Sequence, residues 1–157
     1  TGIASSLQTV WKERDISLRT KVRVYETMVL SVLLYNAETW TMKAADESKI
    51  RAFEMSVLRR ICGVSLRDKW RNDDIKALLG IENDVVERIQ RRRLSYFGHV
   101  SRMRSDRVPL RMLNGRIHGN RPRGRPRRNW LDAVEEDCRE RHITLLQACR
   151  LMEDRGQ

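Results

Sequence analysis

Apolar residues recur at three- and four-residue steps along most of this chain, a spacing that is typical of one buried face of an α-helix. The first strong stripe follows Ser17, a residue type that favours the N-cap position of a helix. Asn36 can end this helix, because asparagine tolerates the left-handed backbone conformation. The apolar positions of the stripe are Leu18, Val22, Tyr25, Val29, Val32 and Leu33. We expect Leu33 to be a core residue.

Three more helices are predicted in the middle of the chain. Asp46 is placed to cap the first of them, and Gly63 is placed to end it. The apolar positions of that helix are Ile50, Phe53, Val57, Leu58 and Ile61. We expect Phe53 to lie in the core. A short helix then lies between Asn72 and Gly80, and Asn83 opens a longer one.

The composition changes between Asn114 and Arg128, where glycine and proline punctuate a run of arginines, and this predicts an extended loop. Asn129 then caps a further helix, and Thr144 caps a short last one. No segment alternates in the manner of a β-strand. The sequence therefore predicts an all-α fold, with one or more small helical bundles and an arginine-, glycine- and proline-rich loop before the last helices.

Charge is concentrated in one part of the chain. Residues 88–128 contain fourteen arginines, no lysine and one acid, Asp106, which gives a formal net charge of +13. The whole chain has a formal net charge of +11, so the remaining residues together are slightly acidic. Arginine's planar fork suits phosphate, and release of counterions favours binding to nucleic acid. This window predicts a nucleic-acid partner, whereas a merely solvated face is the alternative interpretation.

We predict that nucleic acid contacts twelve residues of the basic window. They are Arg88, Arg91, Arg92, Arg93, Arg102, Arg104, Arg121, Arg123, Gly124, Arg125, Arg127 and Arg128. Within them, Arg123-Gly124-Arg125-Pro126 has the core of an AT-hook, in which glycine lets the backbone lie deep in a narrow minor groove. A flexible, charged linker accounts for the same string.

A second binding pattern lies in residues 72–94, which have the apolar spacing of a helix-turn-helix with Gly80 at the turn. Lys76 stands where such motifs usually have a small residue. An ordinary hairpin of two helices is therefore an equal explanation, and a helix-turn-helix regulator of DNA remains an alternative function.

The sequence gives little support for a catalytic or metal-binding site. The single pair of adjacent aspartates, Asp73-Asp74, stands at a predicted helix start, where acids complement the exposed backbone N–H groups. Cys138 and His142 are four residues apart and could share a helix face, but their spacing matches no zinc finger or knuckle. Further metal ligands would have to come from Cys149 with His118 or His99. We predict no catalytic residue, no metal site and no cofactor.

The N-terminus and the lengths of the apolar runs indicate where in the cell the protein is expected. The longest apolar runs around Leu33 are far shorter than the roughly 20 residues that cross a bilayer, so no membrane partner is expected. Residues 1–5 lack the basic and apolar regions of a signal peptide, and the chain does not begin with Met. We expect an intracellular, nuclear protein that is a piece of something longer.

Four blocks of the sequence, in order, resemble the region that follows the polymerase core in reverse transcriptases of non-LTR (LINE-type) retrotransposons. The blocks are Leu33-Leu34-Tyr35-Asn36-Ala37-Glu38-Thr39-Trp40, Phe53-Glu54-Met55 with Leu58-Arg59-Arg60-Ile61, Arg92-Arg93-Leu94-Ser95-Tyr96-Phe97-Gly98-His99-Val100 with Arg102-Met103, and Arg123-Gly124-Arg125-Pro126-Arg127 leading into Trp130-Leu131-Asp132 and Glu135-Glu136-Asp137. Two positions depart from the family pattern: Asn36 replaces the usual glycine, and Tyr96 replaces the usual tryptophan.

The resemblance implies that residues 1–42 correspond to the polymerase thumb and that the rest is a C-terminal region implicated in nucleic-acid handling. It divides the chain into a thumb-like segment 1–42, a helical segment 43–104, a basic loop 105–128 and C-terminal helices 129–157. Polymerase and endonuclease activity would belong to a longer parent, whose upstream polymerase core is a second expected partner. A degenerate or co-opted remnant that acts as a protein-interaction module is the remaining alternative.

Overall fold

The computed structural model describes residues 6–115, Gly124 and residues 128–148. Within these residues the regular structure is helical throughout, which confirms the all-α prediction. The α-helices are α1 (Gln8–Lys12), α2 (Leu18–Val24), α3 (Ser31–Leu33), α4 (Ala44–Cys62), α5 (Asn72–Leu79), α6 (Val85–Ser101), α7 (Val108–Asn114) and α8 (Trp130–Glu140). A π-helical segment, Tyr25–Leu30, joins α2 to α3, and residues 145–148 form a further helical turn.

The chain forms two compact units. The first unit comprises Thr1–Ala37 and Lys43–Ile89, and the second comprises Glu38–Met42 and Gln90–Gln157. The chain therefore passes from one unit to the other three times. The four segments predicted from composition and resemblance are a different division, and they stay a prediction.

Several predicted helix ends are confirmed. Ser17 caps α2, and its hydroxyl accepts a hydrogen bond from the Thr20 N–H at 3.2 Å. Asn36 has the left-handed backbone that was predicted, with a φ of 56°, but α3 already ends at Leu33, with Leu34 as its C-cap. Gly63 and Gly80 adopt the same conformation after α4 and α5. The prediction that Asp46 caps α4 is wrong, because Lys43 occupies the N-cap position. Asp46 lies in the first turn of α4, where its carboxylate accepts a hydrogen bond from the Lys43 N–H at 3.3 Å.

The apolar stripe predicted over the first long helix is only partly right. Tyr25 and Val29 are buried as expected, but Val32 is 58% exposed and Leu33 is only half-buried. Leu30 and Leu34 are buried instead. The π-helical segment explains the shift, because its i→i+5 hydrogen bonds add a residue to each turn and change which side chains face inward.

Helix α4 is the centre of the first unit, where it contacts α1, α2 and α5. Its residues Val57, Leu58 and Ile61 are buried, whereas Phe53, predicted to be a core residue, is half-buried. The other large apolar residues buried in this unit are Trp11, Tyr25, Val29, Leu30, Leu34, Met55, Ile75, Leu79, Ile81, Val85, Val86 and Ile89.

The second unit has its own core, formed between the C-terminal half of α6 and α8. The buried cluster comprises Leu94, Phe97, Val134, Cys138 and Ala148. Asn129 caps α8 as predicted, since its side chain accepts the Asp132 N–H at 2.9 Å. Thr144 also acts as predicted, because its hydroxyl accepts the Gln147 N–H at 3.2 Å.

The short segment Glu38–Met42 is held in the second unit by three of its backbone carbonyls, at alternate positions. The Glu38 carbonyl accepts the indole N–H of Trp130 at 2.8 Å. The Trp40 carbonyl accepts Arg93 Nη1, and the Met42 carbonyl accepts Arg128 Nη1, each at 3.0 Å. Three side chains therefore bind one stretch of backbone: Arg93 of α6, Trp130 of α8, and Arg128, which lies just before α8.

The predicted loop 105–128 begins with a helix that the sequence did not indicate. Helix α7 has Pro109 in its first turn, where a proline removes no intrahelical hydrogen bond. It has only seven residues, and apolar side chains occupy most of its positions, so no helical spacing of apolar and polar residues marked it in the sequence. The rest of the predicted loop, except Gly115, Gly124 and Arg128, lies outside the described residues. Among the described helices, none is both long enough and apolar enough to span a membrane.

Candidate nucleic-acid interface

The exposed face of α6 in the second unit is polar and basic. Arg91, Arg92, Ser95 and His99 are exposed and recur at the spacing of one helix face, and Arg102 is exposed just beyond the helix. Residues on the opposite side, such as Leu94, Phe97 and Val100, are buried. Because its apolar face is packed in the core, α6 exposes these polar and basic side chains on one surface, where they can contact a polyanion.

Arg93 is a correction to the predicted binding residues. Its side chain is 1% exposed, and its guanidinium is bonded to Asp137 and to the Trp40 carbonyl. A side chain held in this way is part of the interior of the second unit. The triple Arg91-Arg92-Arg93 therefore supplies two exposed arginines to the surface and one to the core.

Other predicted arginines have acidic partners, which in two of three cases come from outside the basic window. Arg88 lies 3.1 Å from Glu26 in the first unit. Arg104 lies 3.3 Å from Asp106, with both side chains largely exposed. Arg128 pairs with Glu136 on α8. Exposed pairs of this kind are weak, so their arginines remain able to exchange a carboxylate for a phosphate.

The remaining predicted residues cannot be placed on this surface. Arg121, Arg123, Arg125 and Arg127 lie outside the described residues, and so does the AT-hook core apart from its glycine. Gly124 has a φ of 113°, a backbone conformation that side chains rarely adopt. The hook stays a prediction.

An apolar cavity of about 480 Å³ lies beside the polar face of α6, and the sequence did not indicate it. It is lined by Tyr96, Val100, Val108, Pro109, Met112, Leu113, Gly115, Asn129, Trp130 and Leu131. The rings of Tyr96 and Trp130 meet edge to face, with centroids 5.9 Å apart and planes at 78°. Because half of the lining comes from α7 and the residues around it, the cavity could not be anticipated while that segment was predicted as a loop.

A second depression also has Tyr96 in its lining. It is lined by Glu38, Arg92, Ser95, Tyr96 and His99. Tyr96 lines both hollows, so the apolar cavity and the polar depression are neighbours. The polar depression holds one arginine and one carboxylate, of which Arg92 can attract a phosphate and Glu38 would repel it.

The buried polar groups of the first unit are structural. Glu54 accepts the Tyr25 hydroxyl at 2.9 Å and the Val85 N–H at 3.1 Å. Burial raises the pKa of the Glu54 carboxyl, against the opposing effect of these two hydrogen bonds. Burial and the neighbouring Glu54 raise the pKa of the Tyr25 phenol. Both groups serve to hold the start of α6 against the helices around it.

The helix-turn-helix interpretation meets an obstacle in the first turns of α6. Bases are usually contacted by the N-terminal residues of the second helix of such a motif. Here Val85, Val86 and Ile89 are buried, and Arg88 is paired with Glu26. The exposed residue among them, Glu87, is acidic. The end of α6 that would enter a groove therefore presents one acidic side chain and one arginine that is already paired with a carboxylate.

The candidate catalytic and metal-binding residues that the structure describes are not brought together, and Cys149 and His118 lie outside the described residues. Asp73 and Asp74 lie in the first turn of α5, where acids complement the helix dipole. Cys138 is buried in the core of the second unit, and His142 is exposed in a left-handed turn after α8. Among the described residues, no three His, Cys, Asp or Glu side chains are grouped so that they could hold a metal ion.

Comparison with known proteins gives two similarities. Residues 5–35 match a family described as "Domain of unknown function (DUF6451)". Over 128 residues the chain is 27% identical to "Putative uncharacterized transposon-derived protein F52C9.6" of Caenorhabditis elegans, an alignment that covers 78% of this chain. The chain spans about half of that relative's length, 46%. No solved structure matches. The longer of the two similarities points to a transposon-related origin.

Proposed function

We propose that this chain is a non-catalytic, nucleic-acid-binding region of a transposon-derived protein, related to the part of non-LTR retrotransposon reverse transcriptases that follows the polymerase core. The observation that carries the proposal is the exposed face of α6, with Arg91, Arg92 and His99 on one side and a buried core on the other. Basic side chains that a rigid helix holds together suit a regularly charged polyanion.

Two further observations support the proposal. The similarity to a protein named as transposon-derived agrees with an origin in a mobile element. The four ordered sequence blocks are the more specific support for a reverse-transcriptase parent, because they extend over most of the chain. An upstream polymerase core of the same polypeptide is then the second partner, and the nucleus is the proposed location.

The test is a binding titration of the whole chain with duplex and single-stranded oligonucleotides at several salt concentrations. The key variant is Arg91→Gln with Arg92→Gln. For duplex DNA the slope of log K against log salt should flatten by up to about 1.8, because each lost phosphate contact removes about 0.9. Since phosphate contacts convey no base information, all sequences should weaken alike.

The matched control is Arg14→Gln with Arg19→Gln, which removes the same charge from two exposed arginines of the first unit. It should leave the slope close to that of the unchanged chain. Equal losses in both double variants would show that net charge matters and that the α6 face does not. A chain with no measurable affinity at about 50 mM salt would exclude the proposed function.

A further inference from the structure

We infer that the cavity between α6, α7 and α8 receives an unpaired base of single-stranded nucleic acid, while the adjoining polar depression receives the neighbouring phosphate. The inference rests on the proposed function and adds to it the form of the ligand. A basic face alone would accept duplex and single strand alike, whereas a base-sized apolar hollow next to that face distinguishes them.

The size and lining of the cavity suit a flat apolar group. Its volume of about 480 Å³ falls within the range of small-ligand pockets. At its edge, Val108 is 62% exposed and Met112 is 76% exposed, although both are apolar. Apolar side chains left open on a strongly basic segment would be covered by a ligand that is both apolar and anionic.

The aromatic pair supplies the stacking surface. Trp130 is held in place by the hydrogen bond from its indole N–H to the Glu38 carbonyl at 2.8 Å, and by its contact with Phe97 at 6.2 Å between centroids. Tyr96 is half-buried and packs against Trp130. A ring fixed before binding loses little entropy when a base stacks on it, and such stacking needs no particular base.

The polar depression shares Tyr96 with the cavity, so a phosphate attached to a nucleoside stacked on Tyr96 would lie near it. Arg92 and His99 both line it, and an arginine fork can bind phosphate oxygens in pairs. A base within a duplex is stacked on its neighbours and cannot enter a cavity without being extruded. The ligand that fits both hollows at once is therefore a nucleotide of an unpaired strand.

The decisive comparison uses two oligomers with the same phosphates. One is a thymidine oligomer of about 16 nucleotides, and the other is an abasic oligomer of the same length. The whole chain should bind the thymidine oligomer more tightly by about 5- to 150-fold, which is the contribution of one stacked base. Tyr96→Phe should keep this ratio, and Tyr96→Leu should reduce it towards one.

Met112→Asn is the second variant, because this exposed residue can be changed without disturbing the core. It should also lower the ratio while leaving affinity for the abasic oligomer unchanged. A ratio of one in the unchanged chain, or a full ratio in both Tyr96→Leu and Met112→Asn, would overturn the inference while leaving nucleic-acid binding intact. Failure of the unchanged chain to bind either oligomer would instead overturn the proposed function itself.

Discussion

Arg93 and Asp137 form a two-pronged ion pair in the interior of the second unit. Arg93 Nε lies 2.6 Å from Asp137 Oδ2, and Arg93 Nη2 lies 2.7 Å from Asp137 Oδ1. Their side chains are 1% and 2% exposed. The pair joins α6 to α8, and the Trp40 carbonyl accepts a further guanidinium N–H. One arginine of a basic triplet is thus used to hold the unit together.

Removing one partner of this pair should strongly destabilise the second unit. We expect Asp137→Asn or Arg93→Met to cost about 3–5 kcal/mol, because the remaining group would be buried without its counter-charge. The double variant Arg93→Met with Asp137→Leu should cost less than the two single changes together. Urea unfolding followed by circular dichroism measures this, with the exposed Arg91→Met as control. Equal effects of Arg91→Met and Arg93→Met would contradict the assigned role.

Glu54 should make the stability of the first unit depend on pH. Burial raises the pKa of its carboxyl above the ordinary value of 4.5, so the folded unit holds a proton that the unfolded chain has already released. The free energy of unfolding should therefore fall as pH rises from 4.5 through the raised pKa. Glu54→Gln should remove this fall, and Glu82→Gln, at an exposed position, should retain it. Parallel pH profiles for both variants would refute the prediction.

The left-handed turn at Gly80 should limit which residues it accepts. Its φ is 66°, and a Cβ added there would meet nothing within 4 Å, so any cost comes from the backbone alone. We expect Gly80→Ala to cost about 1–2 kcal/mol, and Gly80→Asn to cost less, because asparagine tolerates this conformation. Thermal or urea unfolding compares the two variants. A loss for asparagine as large as that for alanine would point to a contact other than backbone strain.

Glu38 should oppose binding at the polar depression. Glu38 lines the same hollow as Arg92, so removing its charge should strengthen binding to nucleic acid by up to about fivefold, which corresponds to about 1 kcal/mol. Glu38→Gln keeps the backbone carbonyl that binds Trp130. Glu135→Gln, on an exposed part of α8, is the control for a general change of charge. Equal gains in affinity for nucleic acid in both variants would show that the effect comes from net charge and not from the depression.

Helix ends were the most predictable part of the fold, because they depend on one or two residues. Ser17 and Asn129 cap helices, and Gly63 and Gly80 end them, as local backbone chemistry requires. The inward face of the first long helix was less predictable. A π-helical segment, which no local pattern in the sequence indicated, lies within it, and Leu34 is buried where Val32 was predicted to be.

The sequence predicted that the candidate site is rich in arginine, but it did not predict how the side chains of the site are arranged. The concentration of arginine is a property of sequence, but the acid that pairs with Arg93 lies 44 residues away. Such long-range pairing leaves no local spacing to detect. The cavity depends in the same way on Tyr96 and Trp130, which are brought together only by the fold.

The five residues Glu38–Met42 have a consequence for dividing the protein. They precede most of the first unit in the chain, yet three of their carbonyls accept hydrogen bonds from Arg93, Arg128 and Trp130. A single cut after residue 42, at the predicted end of the thumb-like segment, would separate that backbone from the side chains that bind it. A truncated protein that begins at Lys43 would therefore contain the second unit without Glu38–Met42. Its Arg93, Arg128 and Trp130 side chains would lack these three hydrogen-bond acceptors.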